Sequence, residues 1–212
     1  MTTDDRIAAA KACVEKVVNH VLHSIALHEN NEVFIYSDVI SSQIPESYAA
    51  NAFNLTRDAL FRYSLIRLCA LWDGDVSPEA ETIARIVKLI DNREVISALM
   101  QETCANWPIS DNFGRQQGAK ATIDSPELQS IKNFRDKHIA HALSATRKEK
   151  VHGAIPLPAH RTEIDLLKKT VNLVSSFYCW VNGRDFDFDG SFEIRQGHAE
   201  ALWKGCIVNP LS

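Results

Sequence analysis

RTEIDLLKKTVNLVSSFYCWV, residues 161 to 181, is the stretch that decides the fold class. Ile164, Leu167, Val171, Val174, Tyr178 and Val181 follow one another at alternating steps of three and four. At 3.6 residues per turn those steps keep the apolar side chains on one stripe, so the segment reads as a long helix with a seam shaped to pair with another. The same period runs through most of the chain. Val14, Val18, Val21 and Ile25 mark a first helix over about residues 6–28, widened by Val17 and Leu22. A second helix is expected over about residues 46–72. Its later half, RYSLIRLCALWD, is apolar around most of its circumference, which suits a central helix or an oligomer seam. Its charges Arg62, Arg67 and Asp73 read as snorkelled or paired edge positions.

Punctuation between these segments follows capping rules. Ser77-Pro78 reads as N-cap and first helical position ahead of ETIARIVKLI. Asp91 and Glu94 have capping-box spacing before VISALM. Trp107-Pro108 is expected to stop that helix, and the polar stretch 108–124, with two glycines, to form a loop. Ser125-Pro126-Glu127 restarts a helix. VFIYSDVISSQIP, residues 33–45, reads as a connector ended by Pro45. The sum is an all-α, up-and-down bundle of five or six helices. Residues 1–182 form its body and residues 183–212 a small appendage packed on the same domain.

Bulk composition narrows the function classes. At 212 residues, with 45% hydrophobic and 24% charged residues, the chain matches a globular protein able to bury a core. No apolar run approaches the ~20 residues that span a bilayer, and the acidic start MTTDDR does not resemble a secretory signal. Cys13, Cys69, Cys104, Cys179 and Cys206 are odd in number and widely spaced, as expected of reduced thiols in a cytoplasmic protein. A net charge of −4 requires any nucleic-acid contact to come from a local basic patch.

That patch sits in NFRDKHIAHAL, residues 133–143. On a regular helix Arg135, His138 and His141 fall within one arc of roughly 120°, with Phe134 at its edge and Lys137 outside it. Leu128, Ile131, Phe134 and Ala142 face the core. Arginine supplies a permanent cationic fork suited to phosphate, and histidine a group that exchanges protons near neutrality. Such a set can promote attack of a ribose 2′-hydroxyl on its neighbouring phosphodiester, with one His as base, Arg stabilising the developing charge and a second His protonating the leaving oxygen. The competing reading is structural: basic residues in a last helical turn commonly offset the helix dipole.

Here the chain resembles a known family. Arg135, then the acidic Asp136, then His141 match the R-x(4–6)-H signature of the HEPN superfamily, and RDKHIAH is similar to its AbiU-like, abortive-infection branch. The helical order over residues 1–182 agrees with it. The resemblance implies a homodimer that brings two motifs together and, in many relatives, metal-independent RNA cleavage without a cofactor, in toxin–antitoxin or antiviral defence. Other relatives bind RNA or proteins without cutting anything. On this carry-over Arg135 and His141 are the catalytic pair and Asp136, where asparagine is more usual, supports them. Lys137 and His138 would contact the substrate. RNA and an antitoxin are the expected partners; DNA and membrane are not.

Two other patterns compete for attention. DFDFDGSFEIRQ places Asp185, Asp187 and Asp189 on the first, third and fifth positions of a calcium loop, but Gln196 replaces the bidentate glutamate at the twelfth. A hairpin is the preferred reading, with Phe186 and Phe188 inward, a turn at Asp189-Gly190, and Phe192 and Ile194 returning. His20, His23 and His28 share the first helix without completing a metal set and are expected at the surface.

Overall fold

The computed structural model describes residues 1–44, 49–103, 109–141, 143–159 and 161–206, without the side chains of residues 39 and 109–115. Among the described residues all regular structure is helical, as expected. The elements are α1 (Thr3–Phe34), α2 (Asp38–Ser41), α3 (Ala50–Leu71), α4 (Ile83–Ile90), α5 (Arg93–Thr103), α6 (Ile109–Ile123) and α7 (Pro126–Phe134). A π-helical turn (Arg135–Ala140), α8 (Arg147–His152), α9 (Thr162–Asn182) and α10 (Phe188–Trp203) complete the chain.

The chain divides into two compact units. The first comprises Met1–Val21 and Leu68–Phe186. Its organising element is α9, which packs against α5, α6 and α7. Ile164, Leu167, Val171, Val174, Tyr178 and Val181 are all buried, so the seam expected from residues 161–181 is the core face. Phe177 and Trp180 are buried as well, and the stripe is wider than a two-position seam. Trp72, just past α3, is buried in this unit and donates its indole N–H to Thr170 Oγ1 at 2.8 Å. The α9 helix ends at Gly183, whose φ of +67° puts it in the left-handed region that favours glycine; its N–H closes on the Cys179 carbonyl.

The second unit comprises Leu22–Arg67 and Asp187–Ser212. Phe34, Ile40, Ile44 and Phe53 form its core, with Trp203 of α10 packed against them. The Phe34 ring lies 4.8 Å from Phe53 and 4.4 Å from Trp203, and the Trp203 indole donates to Asn30 Oδ1 at 2.7 Å. The long apolar partners and the satisfied indole account for a small core holding together.

Several sequence expectations fail for physical reasons. Five or six helices are too few, because α2, α6, α8 and α10 form in stretches not read as helical. Residues 109–123 form α6, not a loop. Gly118 sits mid-helix with open space around it, and burial of Ala119 and Gln116 outweighs the low helix propensity of glycine. The Gln116 amide lies 3.5 Å from the Ile90 carbonyl at the end of α4. Helix α4 begins at Ile83 behind Thr82, because Asp75 captures both the Ser77 amide and its hydroxyl in a turn of its own. Helix α5 is capped by Asn92, which accepts from Glu94 and Val95, rather than by Asp91. Phe34 still belongs to α1, and α2 forms within the expected connector. Pro45, Cys104, Trp107, Pro108 and Ala142 lie outside the described residues.

The C-terminal hairpin is also corrected. Residues 188–203 form the helix α10, and the Asp187 carboxylate caps it by accepting from the Gly190 N–H at 2.8 Å. Asp189 and Gln196 lie along that helix, and among the described residues no cluster of three or more His, Cys, Asp or Glu side chains is placed to hold a metal ion.

The expectation of surface histidines holds only for His23. His20 lies 2.6 Å from Glu81, and His28 is half-buried against the Phe192 ring.

Candidate functional site

The site begins with a well-anchored helix. Ser125 caps α7 by accepting from the Leu128 N–H, with Pro126 in the first turn. Leu128 and Ile131 are fully buried and hold the helix to the first unit. Lys132 leans the other way and donates to the Trp72 carbonyl at 2.7 Å. Desolvation pulls the Lys132 pKa below its ordinary value, opposed by Asp73.

At Arg135 the winding changes. Its backbone N–H is shared between the Ile131 and Lys132 carbonyls, and residues 135–140 form a π-helical turn. Bonds from i to i+5 close a wider ring than the α-helical ones, so residues advance less around the axis at each step. His141 then leaves the helix with extended backbone, φ −143° and ψ 138°. The Leu143 N–H reaches back to the Lys137 carbonyl at 3.1 Å. The single arc expected for Arg135, His138 and His141 therefore does not extend to His141.

The Arg135 side chain, 22% exposed, is held from two sides. Its Nε and Nη2 reach Asp136 Oδ1 at 2.8 and 2.7 Å, and Nη1 lies 3.4 Å from Asp73 Oδ1. Burial opposes its charge, but the Asp136 hydrogen bonds and the nearby carboxylates outweigh that, and its pKa lies above the ordinary arginine value. Two of the five guanidinium N–H groups, one on Nη1 and one on Nη2, remain beyond these three contacts.

Lys137 Nζ lies 3.1 Å from Glu149 Oε1. His138 is exposed and stacks at an angle on Phe134, ring centroids 5.1 Å apart. His141 is exposed. Among the described residues no hydrogen bond or ion pair joins Arg135 to His141 within one chain.

Reading the sequence alone missed four residues that shape this site. Asp73 read only as an edge charge, because its partner lies 62 positions away. Asn133, Thr146 and Glu149 form a network beside the motif: Thr146 Oγ1 donates to Asn133 Oδ1 at 2.6 Å, and Asn133 Nδ2 to Glu149 Oε1 at 3.1 Å. The signal for half of this network is present in the sequence. Thr146-Arg147-Lys148-Glu149 spells a capping box, and both of its reciprocal bonds form at the start of α8.

Two exposed imidazoles, three and six positions along the chain from a doubly braced arginine, supply the residue types that can bind an anion and exchange protons with it. No helix among the described residues is long and apolar enough to cross a membrane. Neither a search of curated proteins nor one of solved structures found a match. A family profile described as AbiU2, of the HEPN type, matches residues 10–200. That span takes in the first-helix stripe, the motif helix and the α9 seam, and the family is one of abortive-infection phage defence. The chain therefore belongs to the AbiU2 branch of the HEPN superfamily.

Proposed function

We propose that this chain is a metal-independent endoribonuclease of HEPN type, acting in the cytoplasm as a homodimer and restrained by an antitoxin partner. The observation that carries the proposal is the contrast between Arg135, fixed by Asp136 and Asp73, and His141, exposed on extended backbone at the end of the wide turn. A fixed cation and an accessible base are what transesterification of RNA requires.

In the proposed step the His141 imidazole takes the proton of a ribose 2′-hydroxyl. The 2′-oxygen attacks the adjacent phosphorus and the bond from phosphorus to the 5′-oxygen breaks. The products are a 2′,3′-cyclic phosphate and a 5′-hydroxyl, whose proton comes from the protonated His141 imidazolium of the second copy. Arg135 directs its remaining N–H groups at the non-bridging oxygens, Asp136 keeps the guanidinium in place, and Lys137 and His138 contact neighbouring phosphates. A two-fold axis supplies the second set of groups without further sequence. Cleavage in chelator should be lost in Arg135→Ala and His141→Ala. Equal persistence of several RNAs with wild type and both variants overturns the reading.

A second reading is favoured by the two carboxylates on Arg135, which compete with a phosphate for the fork. On it the chain is a non-catalytic HEPN module that binds RNA or protein. That reading expects His141→Ala to lower the melting temperature while wild type leaves RNA intact.

A further inference from the structure

We infer that Glu149 is a positioning residue for the Arg135–His141 pair, with Asn133 and Thr146 as its supports. The inference rests on the ribonuclease reading for its catalytic consequence, and on the hydrogen bonds of this chain for its geometry.

His141 stands outside the wide turn, and neither it nor residues 143–145 are helical. A catalytic base on such a stretch must be fixed by what grips its ends. Asn133 lies two residues before Arg135 and Thr146 five residues after His141; each is only 5% exposed. Their side chains bond to each other at 2.6 Å and so tie the last turn of α7 to the N-cap of α8. Glu149 completes the tie from both oxygens. Oε2 accepts from the Thr146 N–H at 2.9 Å, which is the ordinary duty of a capping box. Oε1 has no part in that cap. It accepts from Asn133 Nδ2 and from Lys137 Nζ, each at 3.1 Å, and so reaches α7 and the wide turn at once.

A residue needed only to start α8 would have no use for those two donors. With them, the segment bearing His141 becomes a short closed loop whose two feet share one carboxylate. The Thr146 N–H, followed by the Asn133 and Lys137 donors, also holds the Glu149 carboxyl down to about 2, so it stays ionised and able to grip Lys137 throughout the neutral range. Fixing a reacting group in this way is worth large factors in rate, since a misplacement of about 1 Å can cost on the order of a hundredfold.

Glu149→Gln isolates the claim. Its amide oxygen can still serve the cap, while an NH2 group at the Oε1 position faces two donors and accepts from neither. In the full-length variant, the His141 ring-proton NMR signal is expected to broaden or split, and kcat for RNA cleavage to fall at least about tenfold. The signal of His20, which contacts Glu81, serves as the control and should not move. An unchanged His141 signal overturns the positioning role, and so does an unchanged kcat in a wild type that cleaves. If the wild type cleaves nothing, the ribonuclease reading falls and the His141 signal alone decides the positioning role. Should Glu149→Gln not fold, Lys137→Met severs the tie to the wide turn while leaving the cap intact, and it is read by the same signal.

Discussion

Cys69 lies within reach of the fields of Arg135 and Lys132, which favour a thiolate. Burial dominates, however, and pushes its thiol up to about 12. The expected outcome is that a thiol reagent at pH 8 leaves Cys69 unmodified in the folded protein and labels it only after denaturation, as read by peptide mass. Rapid labelling of the native protein would show that Cys69 and the Arg135 environment open to solvent. At this scale the sequence reveals residue types and local spacing. Arg135 and His141, the proposed catalytic pair, stand out in the sequence because the signature they match is short and local. Asp73 is not, since nothing near it in the chain announces a partner so distant. Glu149 is legible as a capping residue but not as a ligand of Asn133 and Lys137, because Oε1 is committed by packing rather than by spacing.

The contrast between α9 and α10 shows what periodicity can and cannot decide. Over α9 the apolar residues repeat long enough that only a helix accommodates them, and the structure follows. Over residues 185–194 a short run of alternating Phe and Asp before Asp-Gly imitates a hairpin. The deciding interaction is a cap. Gly190 is the third residue of α10, and a Cβ there would come within 2.3 Å of Asp187 Oδ2. The missing side chain is therefore what lets the carboxylate close over the helix start. Gly190→Ala should push Asp187 off its cap and destabilise the protein by roughly 1 kcal/mol, similar to Asp187→Ala. The double variant should add little to either single change. Additive losses in denaturant melts would mean that the two positions act separately. The glycines of 108–124 mislead in the opposite direction, because burial of Gln116 and Ala119 makes a helix out of a stretch with the composition of a loop.

For the whole molecule, the all-α class was readable from the apolar stripes, whereas the division into two units was not. Both α1 and α3 contribute to each unit, and an unbroken helical period gives no hint of a boundary inside it. Charge acts at this scale too. With a net charge of −4 the chain repels RNA on average, so any affinity must come from a few cations such as Arg135 and Lys137, doubled in number in the proposed homodimer. If roughly three phosphates are engaged, raising salt from about 50 to 200 mM should weaken single-stranded RNA binding by about twentyfold. Fluorescence anisotropy with His141→Ala, which the proposed mechanism expects not to cleave, checks it, and binding that ignores salt would rule out phosphate contacts as its source.

The π-helical turn bears on how such a signature can evolve. A stretch that already accommodates a surplus residue can lose it and settle into tighter coiling, while the buried anchors before it stay in register. Insertions and deletions between the arginine and the histidine are thus absorbed locally, and the gap between them becomes an adjustable parameter rather than a fixed ruler. Shortening the spacer by one residue would re-aim the imidazole and leave the rest of the molecule where it stands.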